Sequence, residues 1–315
     1  MECRICENER MPHSIYCRVC GNLVLHQREG RARAAALIKA RRKDGFHCEY
    51  SDVLMDLKNP SSPYYVNFEH RVPGVSGDIA ACIAVVNVSK ANMTWDEFPL
   101  VVHELIHHWE TGAAFNRDIV PFRCWRKAAQ AQVKAGLWRP GDMPLRRIPP
   151  LEVQRIGGSM VALDGLGLRA AAEIVRALGA PARSCKICRK PVGPKRMFCP
   201  RCLRLVHRAS PTSKLLQAQA LIDAFDGEHD GFRCYYCGAL LELEDWTSPW
   251  YLWYDHVIPR TEGNVVASSA VMNRMKTDTS EEEFHAYMKE LDRAMTGGIF
   301  DTSKVRFEHW KRHGN

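Results

Sequence analysis

Residues 254–276 read YDHVIPRTEGNVVASSAVMNRMK, and residues 68–90 read FEHRVPGVSGDIAACIAVVNVSK. The two stretches align without a gap. Glu69 matches Asp255, and His70/His256, Pro73/Pro259, Gly77/Gly263, Asn87/Asn273 and Lys90/Lys276 follow at a constant offset of 186 residues. The register extends outward to Gly45/Gly231, Phe46/Phe232, Cys48/Cys234, Tyr50/Tyr236, Pro63/Pro249, Phe98/Phe284 and Glu104/Glu290. Further upstream, Cys3-x2-Cys6-x10-Cys17-x2-Cys20 returns as Cys185-x2-Cys188-x10-Cys199-x2-Cys202 at an offset of 182. The chain therefore carries one unit twice, and each copy tests what the other suggests.

A chain of 315 residues with 46% apolar residues has material for two small domains and a connector. It contains no run of 18 or more apolar residues and opens on Met1-Glu2-Cys3, so neither a membrane span nor a signal peptide is expected. The expected location is cytoplasmic, with no membrane partner. Eight of the 13 cysteines fall into the two four-cysteine patterns. That spacing suits Zn2+ in a reducing compartment better than a disulfide scaffold. Each CxxC turn brings two thiolates to one tetrahedral ion, and a module too small for its own core needs that ion to fold. The net charge of +8 suits a polyanionic partner.

The expected fold class is α+β. Two ββα units are each preceded by a small four-cysteine zinc module and joined by a helical connector. The boundaries are zinc module 1 at 1–29, unit 1 at 30–112, connector at 113–184, zinc module 2 at 185–210 and unit 2 at 211–315. Helices are expected over 30–43 and 212–227, strands from Gly45 and Gly231 and into His70 and His256, and helices carrying Asn87 and Asn273. A further helix is expected from about Asp96 and Glu281. Residues 113–184 show no counterpart in the second copy.

The segment from Gly231 to Met288 resembles the HNH, or ββα-metal, nuclease family: an acidic residue and His ending a strand, an Asn in the following loop, and an Asn on the next helix. The resemblance implies a metal-dependent DNA endonuclease acting on DNA, with double-stranded DNA as the expected form. In that chemistry His256 is the general base, since a neutral imidazole accepts a proton near neutral pH. Asp255 and Asn273 offer hard oxygen ligands to one Mg2+ or Mn2+ ion. Asn264 fixes the loop and orients the histidine, and Lys276 contacts phosphate. The first copy retains His70 as a base, Glu69 and Asn87 as metal ligands, Lys90 as a phosphate contact, and Asp78 in place of the loop Asn. Many relatives carry two further cysteines where this chain has Ser269 and Met272, so Cys234 and Cys237 lack half a zinc shell.

A competing pattern is His103-Glu104-Leu105-Ile106-His107. On a helix, the two histidines would share a face and bind zinc with Glu104 as base, as in a zinc metallopeptidase. The repeat aligns these histidines with Lys289 and Arg293, which weakens that reading. A non-catalytic, zinc-dependent DNA-binding protein is the remaining alternative. Oligomeric state is not legible.

Overall fold

The computed structural model describes residues 2–25, 27–134, 155–156, 159–160, 184–193, 196–207, 214–261 and 263–310. It is α+β, built from short helices and antiparallel strand pairs. Among the described residues no helix is long and apolar enough to cross a membrane. The chain divides into two compact units, Met1–Gln130 with Val271–Asn315, and Ala131–Ala270. These spatial units cut across the sequence repeat.

In the first unit, α1 (Arg18–Val24) and α2 (Gly30–Ala40) precede a hairpin of β1 (Val66–His70) and β2 (Ile79–Ile83). Then come α3 (Ala84–Lys90), α4 (Glu97–Thr111), a 3-10 turn η1 (Arg117–Ile119) and α5 (Trp125–Lys134). The strand β2 was not expected from the sequence, which suggested a loop running into a helix. Its five residues are all buried, and Ile83 caps α3 without any side-chain bond. A buried strand that runs straight into a helix carries neither alternation nor a capping residue for sequence reading to detect. The first strand expected at Gly45-Phe46 reduces to two isolated bridges, Arg41 with Phe46 and His47 with Leu54.

The second unit contains the short ladder of β3 (Arg155–Ile156) and β4 (Ser159–Met160), then α6 (Pro200–Val206) and α7 (Lys214–Asp223). It continues with β5 (Phe225–Asp226) paired to β6 (Gly231–Phe232), and the hairpin of β7 (Leu252–His256) and β8 (Val265–Ser269). The helix expected at Leu168 to Leu178 lies outside the described residues. The chain then enters α8 (Ala270–Lys276), α9 (Glu281–Met295) and the 3-10 turn η2 (Thr302–Lys304).

From Val271 onward these last elements join the first unit, where α9 packs on α4. The crossing is antiparallel. The Trp109 ring lies 5.6 Å from Phe284 and 3.9 Å from His285, while His103 Nδ1 is 3.2 Å from Asp292 Oδ1. Because α4 and α9 are repeat equivalents, this crossing maps onto itself with Glu104 and Glu290 near its centre. The Ser89 hydroxyl donates to the carbonyl of Met275, its own counterpart 186 residues on, at 2.9 Å. Equivalent residues meeting each other are the mark of an isologous contact, so these helices associate as they would in a twofold dimer.

The repeat also reaches further than the sequence reading allowed. Residues 112–125, of which 113–125 fall in the connector expected to have no counterpart, match 297–310 at an offset of 185: Gly112/Gly297, Phe115/Phe300, Val120/Val305, Phe122/Phe307 and Trp125/Trp310. The Asn116 side chain caps η1 and the Asp301 side chain caps η2. The aromatic pairs Phe122–Trp125 and Phe307–Trp310 have centroids 5.9 and 6.3 Å apart. A one-residue change of register hid this homology, because only scattered apolar positions persist across it.

Candidate functional sites

Each four-cysteine module is assembled by two tight turns, the second of which starts a helix. Cys17 and Cys199 are the N-caps of α1 and α6, and their sulfurs accept from the backbone N–H of Cys20 and Cys202 at 3.4 and 3.5 Å. In each cluster the four sulfurs lie within 4.8 Å of one another, with Cys6–Cys17 at 3.5 Å and Cys188–Cys199 at 3.6 Å. Zinc with Zn–S bonds of about 2.3 Å needs sulfur–sulfur edges of about 3.8 Å, so the spacing fits. The electrostatics point the same way. A hydrogen bond with Cys202 leads the effects that draw Cys185 down to about 4, while Cys188 and Cys202 are pushed up. In the first cluster, burial opposes ionisation of Cys3, yet hydrogen bonds led by the Cys17 backbone bring it to about 6; Cys6 and Cys20 are raised by burial. Four thiols this close cannot all ionise without a cation among them. Both clusters can therefore hold zinc, and a closed shell of four sulfurs is structural rather than catalytic.

The two acidic-histidine pairs occupy the same register. Glu69 and His70 end β1 opposite Ala80 and Ile79, and Asp255 and His256 end β7 opposite Val266 and Val265. The loops close alike: Arg71 N–H donates to the Asp78 carbonyl at 3.0 Å, and Val257 N–H to the Asn264 carbonyl at 2.9 Å. Asn264 has φ of 49°, in the left-handed region that Asn tolerates better than most residues. Asn87 and Asn273 stand at the fourth positions of α3 and α8 and are both partly exposed.

Around these shared frames the side chains differ. In the first copy Glu69 is buried and accepts from Lys90 Nζ at 2.6 Å, and Lys90 also donates to the His70 carbonyl at 3.2 Å. Burial pushes the Glu69 carboxyl above its ordinary range, and Lys90 pulls it part of the way back. His70 Nε2 lies 2.9 Å from Glu29 Oε2, and hydrogen bonds with Ser76 and His70 hold Glu29 below the usual carboxylate range. Asp78 pairs with Arg71 at 2.7 Å, and the same guanidinium reaches Glu49. In the second copy Asp255 is buried, and the Tyr236 hydroxyl donates to its Oδ2 at 2.6 Å.

The lysines require a correction. Lys90 and Lys276, read as phosphate contacts, are both 0% exposed, so neither ammonium presents a surface to a phosphate. Each instead occupies the interior end of its helix, and Lys90 neutralises Glu69 there. Tyr236 and Glu29 are the residues that sequence reading passed over. The Tyr50/Tyr236 match was visible in the repeat, but nothing in sequence says what a hydroxyl touches.

Cys234 and Cys237 belong to no group of three or more His, Cys, Asp or Glu among the described residues. Cys234 Sγ accepts from Ser269 N–H at 3.3 Å and donates to the Ser269 hydroxyl oxygen at 3.7 Å. Burial opposes its ionisation, yet hydrogen bonds led by that from Cys237 bring it to about 6. In the first copy Cys48 is raised by burial. A third group, Asp226, Glu228 and His229, sits on the β5–β6 turn, where Asp226 is engaged by Arg233 at 2.6 Å and His229 at 2.8 Å.

The His103–His107 pattern lies on α4. Its Glu104 carboxylate accepts from Asn116 N–H at 2.7 Å, and Glu290 accepts from Asp301 N–H at 2.9 Å. Glu97 and Glu283 repeat the device, accepting from Arg123 N–H at 2.6 Å and His309 N–H at 3.0 Å. His103 is largely exposed beside Asp292, and no group of three ligands among the described residues includes His103 or His107. In both copies the glutamate of this helix anchors the segment that follows it.

No protein-family model, curated protein or solved structure matches this chain.

Proposed function

We propose that the protein is a metal-dependent DNA endonuclease whose hydrolytic chemistry resides in the second copy, with two zinc modules as structural staples. The observation that carries the proposal is the Asp255–His256 pair at the end of β7, in a hairpin closed through Asn264 and leading directly into the helix of Asn273. That order of strand, loop, strand and helix, with those residue types, is the frame of a ββα-metal nuclease.

His256 takes the proton of the attacking water, the role of a general base. Asp255 and Asn273 are the oxygen ligands that the motif assigns to one Mg2+ or Mn2+. When bound, the ion supplies positive charge for the phosphorane and the leaving oxygen. Asn264 supports the turn that carries His256. The first copy serves as a structural partner: Glu69 is committed to Lys90, His70 to Glu29 and Asp78 to Arg71. The exposed Arg189, Arg196 and Arg204 of the second zinc module suit the DNA backbone.

The test is conversion of supercoiled plasmid with Mg2+ or Mn2+ by the full-length, zinc-loaded protein. His256→Ala is expected to lower the rate by about 100-fold or more, the usual worth of a general base. Undiminished cutting by that variant would refute the assignment.

A further inference from the structure

The turn that begins at Cys48 and its counterpart at Cys234 carry a tyrosine at the same place, two residues on. Cys234 N–H donates to Ala239 O at 2.8 Å and Gly238 N–H to Cys234 O at 2.9 Å; in the first copy Cys48 N–H donates to Val53 O and Asp52 N–H to Cys48 O, both at 2.9 Å. Gly238 and Asp52 both have positive φ, 66° and 52°. The backbone therefore presents Tyr236 and Tyr50 from the same turn. Both side chains are buried, at 1% and 6% exposure.

Their hydroxyls do different things. That of Tyr236 donates to Asp255 Oδ2 at 2.6 Å, a short charge-assisted bond. That of Tyr50 is buried with no hydrogen-bond partner among the described residues, although its ring packs on Trp95 at 4.0 Å and Phe98 at 5.7 Å. The acid it would meet by analogy, Glu69, is held by Lys90. Leaving a hydroxyl buried and unsatisfied is unfavourable, so the tyrosine persists in the first copy for its ring, while the second copy also uses its hydroxyl.

We infer that Tyr236 is a positioning residue for the catalytic metal: its hydroxyl fixes the Asp255 carboxylate in the orientation that a hard divalent cation requires. This rests on the nuclease reading for the role of Asp255. A rotating carboxylate loses part of its binding energy to ordering, and a neighbour that orders it beforehand removes that loss. Removing the outer partner of a metal ligand typically weakens metal binding 10- to 100-fold. Tyr50 supplies a matched control in the same chain.

The experiment uses the full-length, zinc-loaded protein and Mn2+ as probe, with bound Mn2+ read from the loss of the free-ion paramagnetic resonance signal. Tyr236→Phe is expected to weaken Mn2+ binding by about 10-fold and to shift the Mn2+ requirement of plasmid cutting by the same factor, with excess Mn2+ restoring the rate. Tyr50→Phe is expected to leave Mn2+ affinity within about twofold of the parent, since its hydroxyl holds no partner among the described residues. Asp255→Asn gives a second arm: adding Tyr236→Phe to it should weaken Mn2+ binding no further. Unchanged affinity in Tyr236→Phe, equal weakening by both tyrosine variants, or full additivity with Asp255→Asn would each overturn the inference. If His256→Ala cuts normally while Tyr236→Phe still weakens Mn2+ binding, the nuclease reading fails and the role of Tyr236 stands. If His256→Ala abolishes cutting while Tyr236→Phe binds Mn2+ normally, the reverse holds.

Discussion

The hairpins ending at His70 and His256 share strand register, loop closure and the helix that follows, yet their acids are held differently. Asp255 accepts from a tyrosine hydroxyl; Glu69, one methylene longer, accepts from a buried ammonium. The Tyr50 hydroxyl, on the same turn as that of Tyr236, accordingly has no partner among the described residues. A carboxylate paired with a lysine in the interior is a structural ion pair, whose positive partner opposes the approach of a cation. The comparison teaches that a duplicated frame can keep its motif positions in register while the side chains that partner them change.

Breaking the features that the copies share should have the largest effect. Cys3→Ser and Cys185→Ser are each expected to lose one of two zinc ions per chain and to unfold the module concerned, because such modules owe their folding to the metal. Zinc content and protease sensitivity of each module check this. Binding should weaken as pH falls, since the sulfurs must be deprotonated to coordinate.

Next in size is the ion pair that holds the acid of the first copy. Lys90→Met keeps an unbranched chain but strands Glu69, and is expected to cost about 3–5 kcal/mol in urea unfolding near neutral pH. The sign of its pH dependence follows from the raised Glu69 pKa. Without Lys90 that pKa rises further, so the protonated acid is favoured in the folded state. The variant should recover stability as pH falls toward the ordinary glutamate value of 4.5, and lose it as pH rises through the elevated folded pKa. A penalty independent of pH would show that the pair is not what holds Glu69.

The smallest effect concerns the helices that carry Glu104 and Glu290. Both carboxylates accept from the backbone of the segment that follows, so Glu104→Ala and Glu290→Ala should each cost about 1 kcal/mol, measured by urea unfolding. The penalty should be larger for Glu290, which is more buried. A zinc peptidase would instead lose proteolysis on Glu104→Ala and show no parallel in Glu290→Ala.

Much of this was legible in the sequence because the repeat supplied two readings of each duplicated position. The constant offset located the cysteine modules, the strands ending at His70 and His256, and the helices of Asn87 and Asn273. It could not show that β2 and β8 are strands, because each runs into a helix with no breaker between. It did not reach residues 112–125, where the register slips by one. Nor could it show that α9 packs on α4, because local periodicity marks a helix's apolar face without naming the partner that covers it. At the site, residue types were readable and pairings were not: Lys90 reads as a surface cation until its burial and its 2.6 Å contact with Glu69 are seen.

The most direct test of the difference between the copies is one assay on two variants. Supercoiled plasmid is incubated with Mn2+ and full-length, zinc-loaded protein carrying either His256→Ala or His70→Ala, and the nicked and linear products are followed in time. The expected result is a loss of about 100-fold or more for His256→Ala and a change of less than about twofold for His70→Ala. Equal losses in both variants, or a loss confined to His70→Ala, would contradict the assignment of chemistry to the second copy.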